Sequence, residues 1–285
     1  MIVKEIKDIR RINLHLHTRA SDGMLSPAQL VKQAKNIGLD LISITDHDTM
    51  DAYKQIPEDY APLRILPGME ISSMHQGHDV HILAYGCDFR NEALIKLSED
   101  YLIGRRDRAI KMIELLGELG MDIEIDEVLA MAGSGELIAR PHIAQVMVHH
   151  GYVRTKNEAF EKYIGNFKPA FAPKPEISVP DVISVIHGAG GFAVLAHPGK
   201  LTDPDFIEES IAFGLDGIEV WHPDHYQYQV NEFIDIAQNN GLYMTAGSDF
   251  HGENKDSVLY DNVPASELIL ESVRKLYQEY KCRNR

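Results

Sequence analysis

Short apolar runs rich in β-branched residues recur along the chain, at residues 11–16, 39–45, 63–70, 80–85, 191–196, 217–220 and 242–246. Runs of this length predict strands, and most are followed by apolar positions at helical spacing. The first connection shows the pattern: Ser26-Pro27 offers an N-cap and a first-turn proline, Leu30, Val31, Ala34 and Ile37 repeat on one face, and Gly38 ends the helix. Strand leads to helix and helix back to strand. Repetition of that unit predicts an α/β fold of parallel strands with helical crossovers, either an open doubly wound sheet or a closed barrel. From about Leu97 to Phe171 the rhythm changes, and helical patterns follow one another without a strand. This predicts an inserted helical subdomain over 98–173 within a main domain of 1–97 and 174–285. The proline-rich stretch 168–176 forms its far edge, since proline prevents helix continuation.

Composition narrows the classes. With 285 residues, 44% apolar and 25% charged, the chain excludes collagen-like, disordered and membrane-spanning readings. Lys and Arg number 28 against 43 Asp and Glu, a net charge of −15 that repels long nucleic acids. Two distant cysteines, Cys87 and Cys282, make no disulfide framework and suit a reducing, cytoplasmic setting. The first residues lack a signal-peptide apolar run, and no segment approaches the ~18 uncharged apolar residues of a membrane helix. Long nucleic acid, a membrane and an obligate protein partner are therefore not expected.

Fourteen histidines are the unusual part of the composition, and their placement carries the chemistry. His15 and His17 close the first predicted strand, Asp46-His47 the second and Glu70 the third; His81 lies in the fourth, His197 ends the fifth, His222 the sixth, and Asp249 and His251 follow the seventh. In parallel sheets and barrels the carboxyl ends of separate strands converge on one site. The spacing His15-Leu16-His17 aims two imidazoles to one face of a strand while Leu16 points away. Alone, such a pair is as often a core or surface feature as a metal site. Followed by Ser21-Asp22-Gly23, Thr45-Asp46-His47-Asp48-Thr49 and Gly68-Met69-Glu70, it becomes specific.

Taken with His81-Ile-Leu, Ala196-His197-Pro198 and Gly247-Ser-Asp249-Phe-His251, these motifs resemble those of the polymerase and histidinol phosphatase (PHP) family of metal-dependent phosphoesterases, over nearly the whole chain. The sequence is most similar to the group acting on nucleoside 3′,5′-bisphosphates and the 5′ ends of short RNA, which also combines Ser-Asp-Gly-x-x-Ser-Pro with a helical insertion. The resemblance implies a distorted barrel of seven β/α units holding two or three divalent ions. It implies His15, His17, Glu70 and Asp249 as ligands of one ion, Glu70, His81 and His197 of a second, and Asp22, His47 and His251 of a third. The implied activity is hydrolysis of small-nucleotide phosphate esters by metal-activated water. Mixed nitrogen and oxygen donors suit manganese, iron or zinc. The expected partner is a small phosphorylated substrate, a nucleotide or short oligoribonucleotide. The resemblance further implies a lid with anion contacts, for which Arg140 and His142 are the candidates, with Lys200 and His225 weaker ones; His222 is a candidate general acid.

Three carboxylates offset only three of the six positive charges of three divalent ions, so the centre favours an anionic substrate such as phosphate. Other features take plainer readings. His75, His78, His149, His150 and His187 are assigned no metal; Asp46 is expected to orient a ligand histidine or cap the strand end; the run 105–108 with Lys111 is expected to be a solvated helix face; and Gly188-Ala-Gly-Gly191 is expected to cap a helix. The competing readings are a histidinol-phosphatase-like enzyme, a metal-dependent amidohydrolase and a non-catalytic metal-binding module. Amidohydrolases commonly bridge their metals with a modified lysine, and no strand-end lysine stands in such a position.

Overall fold

The computed structural model describes residues 6–132, 138–173, 177–201, 203, 205–252 and 263–284. Residues 174–176 of the expected proline-rich edge lie outside this set. In chain order the elements are β1 (Ile12–Asn13), α1 (Pro27–Asn36), β2 (Leu41–Ile42), a 3-10 turn (Asp51–Gln55), β3 (Arg64–Ile65), β4 (Gly68–His75) and β5 (His78–Tyr85). There follow α2 (Glu92–Glu118), α3 (Ile125–Ala132), α4 (Arg140–His149), α5 (Lys156–Ala159) with a π-helical turn (Phe160–Ile164), and α6 (Val179–Gly188). The last stretch holds β6 (Phe192–Leu195), a 3-10 turn (Pro198–Lys200), α7 (Phe206–Ala212), β7 (Gly217–Trp221), α8 (Gln227–Asn240), β8 (Tyr243–Ala246) and α9 (Glu267–Arg283). The chain is thus mixed α/β. It divides into two compact units, Met1–Ile95 with Ile177–Arg285, and Lys96–Glu176.

In the first unit, β1, β2 and β3 form a parallel sheet, and β4 to β8 form a second sheet in sequence order. Expected alternation of strand and helix fails in its middle. β4 pairs antiparallel with β5, and β5 antiparallel with β6, whereas β6, β7 and β8 are parallel. The reason is local: His75 pairs with His78 across Gln76-Gly77, whose positive φ values of 48° and 81° are those a tight hairpin turn requires. The single strand expected over 63–70 is also broken. Pro67 has no N–H to donate to a ladder, so pairing stops at Ile65 and resumes at Gly68. Glu70 therefore sits within a strand rather than at its end.

Helix α1 forms as its sequence dictates. Ser26 Oγ accepts from Gln29 N at 3.3 Å, Gln29 Oε1 accepts from Ser26 N at 2.9 Å, and Pro27 occupies the first turn. Its buried face, Leu30, Val31 and Ala34, packs with Leu16, Ile42, Ile44 and Phe250. Each fully buried leucine or valine here contributes about 1.5–3 kcal/mol relative to exposure. Ala189 and the left-handed Gly190 (φ 74°) cap α6, the cap expected of Gly188-Ala-Gly-Gly191.

The second unit has its own core, drawn from Met112 and Leu116 of α2, Val128 of α3, and Ile143, Ala144 and Met147 of α4. Here one reading is corrected. Arg105 and Arg108 are buried rather than solvated, because helical spacing turns both toward the inside of α2. Arg108 Nε donates to Ala172 O at 2.7 Å, and its guanidinium stands 5.7 Å from the Phe171 ring centroid. Arg106, Asp107 and Lys111 do face solvent. No described helix is long and apolar enough to cross a membrane.

Candidate metal centre

Past β1 the chain stays extended. His15 and His17 point to one side with ring centroids 5.2 Å apart, while Leu16 turns into the core and bridges to Phe250. Asp22 follows on a tight turn that Asp46 fastens: its carboxylate accepts from Thr18 N at 2.7 Å, Thr18 Oγ1 at 2.6 Å and Ser21 Oγ at 2.6 Å. Asp46 thus holds the loop between His17 and Asp22 instead of an imidazole. A β-carbon at Gly23 would lie 2.6 Å from the His17 carbonyl carbon and 2.7 Å from Thr18 N, so this turn requires glycine.

His47 is carried by the segment after β2 and fixed through its neighbour. Asp48, in a left-handed conformation (φ 55°), accepts from Ser72 N at 2.7 Å and Ser72 Oγ at 3.0 Å, while its own N–H donates to Glu70 O. Glu70 and His81 lie on one face of the β4–β5 hairpin, since Glu70 is registered with Leu83, two residues from His81. His197 (φ 29°) and Asp249 (φ 51°), past β6 and β8, are also left-handed. Three non-glycine residues in that region around one centre mark strain held in place by surrounding structure.

These segments bring all nine expected ligand residues together. Glu70 Oε2 lies 3.3 Å from His15 Nε2, 3.2 Å from His17 Nε2 and 3.1 Å from His47 Nδ1. Its other oxygen lies 2.8 Å from His81 Nδ1 and 3.0 Å from His197 Nε2. Asp249 Oδ1 is 3.1 Å from His17 Nε2 and 3.4 Å from His15 Nε2; Asp22 Oδ1 is 3.3 Å from His251 Nε2. Three sets have donor atoms mutually within 4.8 Å: His15, His17, Glu70 and Asp249; His17, Asp22, His47 and His251; and His47, Glu70 and His81. The first is the expected quartet. In the others His17 joins the Asp22 set, and His47, rather than His197, joins Glu70 and His81.

The donor set fits divalent ions. Close as they are, His15 Nε2, both His17 nitrogens, His47 Nδ1, Glu70 Oε2 and Asp249 Oδ1 are buried with no aligned hydrogen-bond partner. Atoms aimed past one another toward shared points are costly unless something else satisfies them. Electrostatics agree. Burial opposes charge on His17, yet the adjacent carboxylates of Asp249 and Glu70 raise its pKa to about 10. Burial likewise opposes charge on His15, and Glu219, Glu70 and Asp249 raise it well above the ordinary range. Burial lowers His47 to about 3. Burial works against ionised Glu70 and Asp249, but the surrounding imidazoles hold both well below the carboxylate range.

One buried residue escaped the sequence reading. Glu219 of β7 faces His15 Nδ1 at 3.0 Å and accepts from His197 N at 2.7 Å, so it turns His15 Nε2 toward the centre and fixes the strained His197 backbone. A carboxylate behind a histidine is the common way to set its tautomer. The available signal was a lone charge inside the apolar strand Gly217–Trp221.

The other candidates are placed variously. His222 is buried; its Nδ1 accepts from Asp224 N at 3.0 Å, leaving the proton on Nε2, 3.3 Å from Asp249 Oδ2. Lys200 Nζ lies 3.2 Å from Asp249 Oδ2 and 3.1 Å from Asp224 Oδ2. His225 Nδ1 donates to Val220 O and its Nε2 accepts from Gly199 N, so both ring nitrogens are committed to backbone. In the second unit, Arg140 donates to Asn166 Oδ1 at 2.8 Å and stacks near Phe160 and Phe171, at 5.5 and 5.8 Å. His142 Nδ1 accepts from Ala139 N at 3.1 Å and so caps the start of α4. His75 and His187 pair with Glu209 and Asp216, and His150 with Glu127, away from the cluster.

Comparison with known proteins agrees with this geometry. Residues 13–172 match the model of the PHP domain. A 3′,5′-nucleoside bisphosphate phosphatase of Chromobacterium violaceum is 34% identical over 84% of this chain and 87% of its own length. A 5′-3′ exoribonuclease of Haemophilus influenzae is 31% identical over 85% and 90%. A solved structure from Bifidobacterium adolescentis, described as a metal-dependent phosphoesterase, superposes with a TM-score of 0.82 at 33% identity, covering 93% of this chain and 96% of that one. A histidine and carboxylate cluster of this kind, on a chain so matched along its length, identifies the protein as a member of the PHP domain family and a hydrolase of phosphate esters.

Proposed function

We propose that the protein removes phosphate from small nucleotides, the 3′-phosphate of nucleoside 3′,5′-bisphosphates first and the 5′ ends of short RNA second, at two or three divalent ions of manganese, iron or zinc. The carrying observation is Glu70, whose two oxygens touch five histidines drawn from four segments. A carboxylate can bridge ions where an imidazole with one free nitrogen cannot. In this reading His15, His17, Asp22, His47, Glu70, His81, His197, Asp249 and His251 are the ligands. Bound, the ions would supply Lewis acidity that activates water and neutralises phosphate charge. Glu219 keeps His15 Nε2 directed inward, and Asp46 and Asp48 hold the loops of Asp22 and His47; His222 points its Nε2–H at Asp249 Oδ2 and, to serve as general acid for the departing ribose oxygen, must first take a second proton at Nδ1 in place of the Asp224 N–H bond. We further read the two sheets as one distorted (β/α)7 barrel, with β3 and β4 as a single strand broken at Pro67. Support comes from the bridges Leu16–Phe250 and His47–Glu70 and from Leu14 N donating to Ala246 O at 3.1 Å.

The deciding assay is phosphate release from adenosine 3′,5′-bisphosphate, histidinol phosphate and 5′-phosphorylated short RNA with manganese. The bisphosphate should be cleaved best; preference for histidinol phosphate would refute the substrate reading. From the 98–173 insertion, which we read as a lid, Arg140 and His142 are proposed to hold a substrate phosphate. Replacing Arg140 with Ala should raise KM about tenfold with kcat held, the loss of one charged hydrogen bond worth roughly 1.5–3 kcal/mol. An unchanged KM removes Arg140 from the site.

Metal uptake should also release protons. The metal-free His15 and His17 are protonated near neutrality, and a ligand imidazole must be neutral. Calorimetry in buffers of different ionisation enthalpy at pH 7.5 should find about one to two protons released per centre filled. The sign for stability follows: the folded pKa of His17, about 10, exceeds its unfolded 6.5, so this contribution to the metal-free fold is complete below 6.5 and disappears as pH rises through 10. Zero proton release would contradict the assignment.

A further inference from the structure

Beyond β7 the chain makes a loop, His222 to Tyr226, that enters α8 and is held on every side. His225 is tied through Nδ1 to Val220 O at 3.0 Å and through Nε2 to Gly199 N at 3.2 Å. Gln229 Oε1 accepts from Tyr226 N at 2.9 Å. Onto this fixed support the sequence places two aromatic side chains that pack into no core: Tyr226 is 69% exposed and Tyr228 66%. Their rings are parallel within 9°, with centroids 5.8 Å apart. The loop adjoins the metal centre. The His225 ring is 5.4 Å from that of His222, which faces Asp249, and one ammonium, Lys200 Nζ, touches both Asp224 of the loop and Asp249 of the centre.

Resting on the reading of the substrate as a nucleotide, we propose that Tyr226 and Tyr228 form the surface on which the substrate's base stacks while its phosphate is at the metal centre. Flat phenol faces suit any nucleobase, since stacking uses the π-face rather than a hydrogen-bond pattern. A rigid support lowers the entropy lost on binding. Lys200 ties the loop to the centre through its ion pairs with Asp224 and Asp249. Such a surface favours nucleotides over phosphate esters without a base and is indifferent to which base is carried.

The test compares adenosine 3′,5′-bisphosphate with ribose 5-phosphate, which lacks a base, on manganese-loaded enzyme. Replacing both Tyr226 and Tyr228 with Ala should raise KM for the bisphosphate about tenfold or more, with kcat within about twofold. Kinetic constants for ribose 5-phosphate should hold. Replacing both with Phe should restore the wild-type KM. Calorimetry with adenosine 5′-phosphate and ribose 5-phosphate gives a readout without turnover, and only the nucleotide should lose affinity in the Ala variant. Equal weakening of both ligands, or an unchanged KM for the bisphosphate, overturns the proposal. If the wild-type enzyme cleaves the bisphosphate while the tyrosines prove irrelevant, the base surface falls and the proposed activity stands. If it fails to cleave nucleotides yet binds adenosine 5′-phosphate through the tyrosines, the activity falls and the surface stands.

Discussion

Replacing Glu70 with Gln should lower kcat/KM by about three orders of magnitude, roughly 4 kcal/mol of transition-state stabilisation. It should also reduce the metal content of purified protein. The substitution keeps the side chain's shape but removes its charge and replaces an acceptor oxygen by an N–H2 group among five imidazoles. Because Gln is nearly isosteric, far-ultraviolet circular dichroism should match the wild type, which separates a lost centre from a lost fold. Elemental analysis after dialysis against manganese measures the first effect, and phosphate release measures the second. Full metal occupancy with wild-type kinetics would overturn the central role of Glu70.

Gly247→Ala should damage the same centre through the backbone. A β-carbon at this position would overlap the His15 Cβ and lie 2.6 Å from His15 N and 2.9 Å from Glu219 Oε1. Neither side can retreat freely, because Gly247 N donates to Trp221 O and Leu14 N to Ala246 O. The strain should cost about 1–3 kcal/mol of stability, as overpacked interiors do. Displacing His15 by even ~1 Å should cost about a hundredfold in activity. Thermal unfolding with and without manganese checks both: the melting temperature should fall, and the rise on adding metal should shrink. An unaltered melting temperature and full activity would show that β1 and β8 have slack that the contacts deny.

The site was more legible in the sequence than the fold that builds it. The motifs His15-Leu16-His17, Thr45-Asp46-His47 and Gly68-Met69-Glu70 were specific enough to suggest a family, and it was that resemblance which named the nine positions the structure brings together. Leu16 between His15 and His17, for instance, behaves as period-two alternation requires. Sheet direction was less legible, because apolar runs at 63–70 and 80–85 look alike whether the connection between them is a crossover or a hairpin. Only Gln76-Gly77, which reads equally as an ordinary loop, separates the cases. Glu219 was invisible for a different reason. A single acid in an apolar strand has no partner within reach along the chain; its partners, His15 and His197, lie far away in sequence. Arg105 and Arg108 were misread because a charge cluster suggests solvent, and only the path of Ala172 and Phe171 gives Arg108 an inward partner.

The contact of Leu14 with Ala246, and of Leu16 with Phe250, has a bearing on how the enzyme is born. On the ribosome His15 and His17 are made more than two hundred residues before Asp249 and His251. Until then the early histidines have no late-arriving neighbours, and a cation captured by them would be held by an incomplete cage. The pairing of His15 and His17 with Asp249 therefore exists only once the chain has been made and folded as far as Asp249.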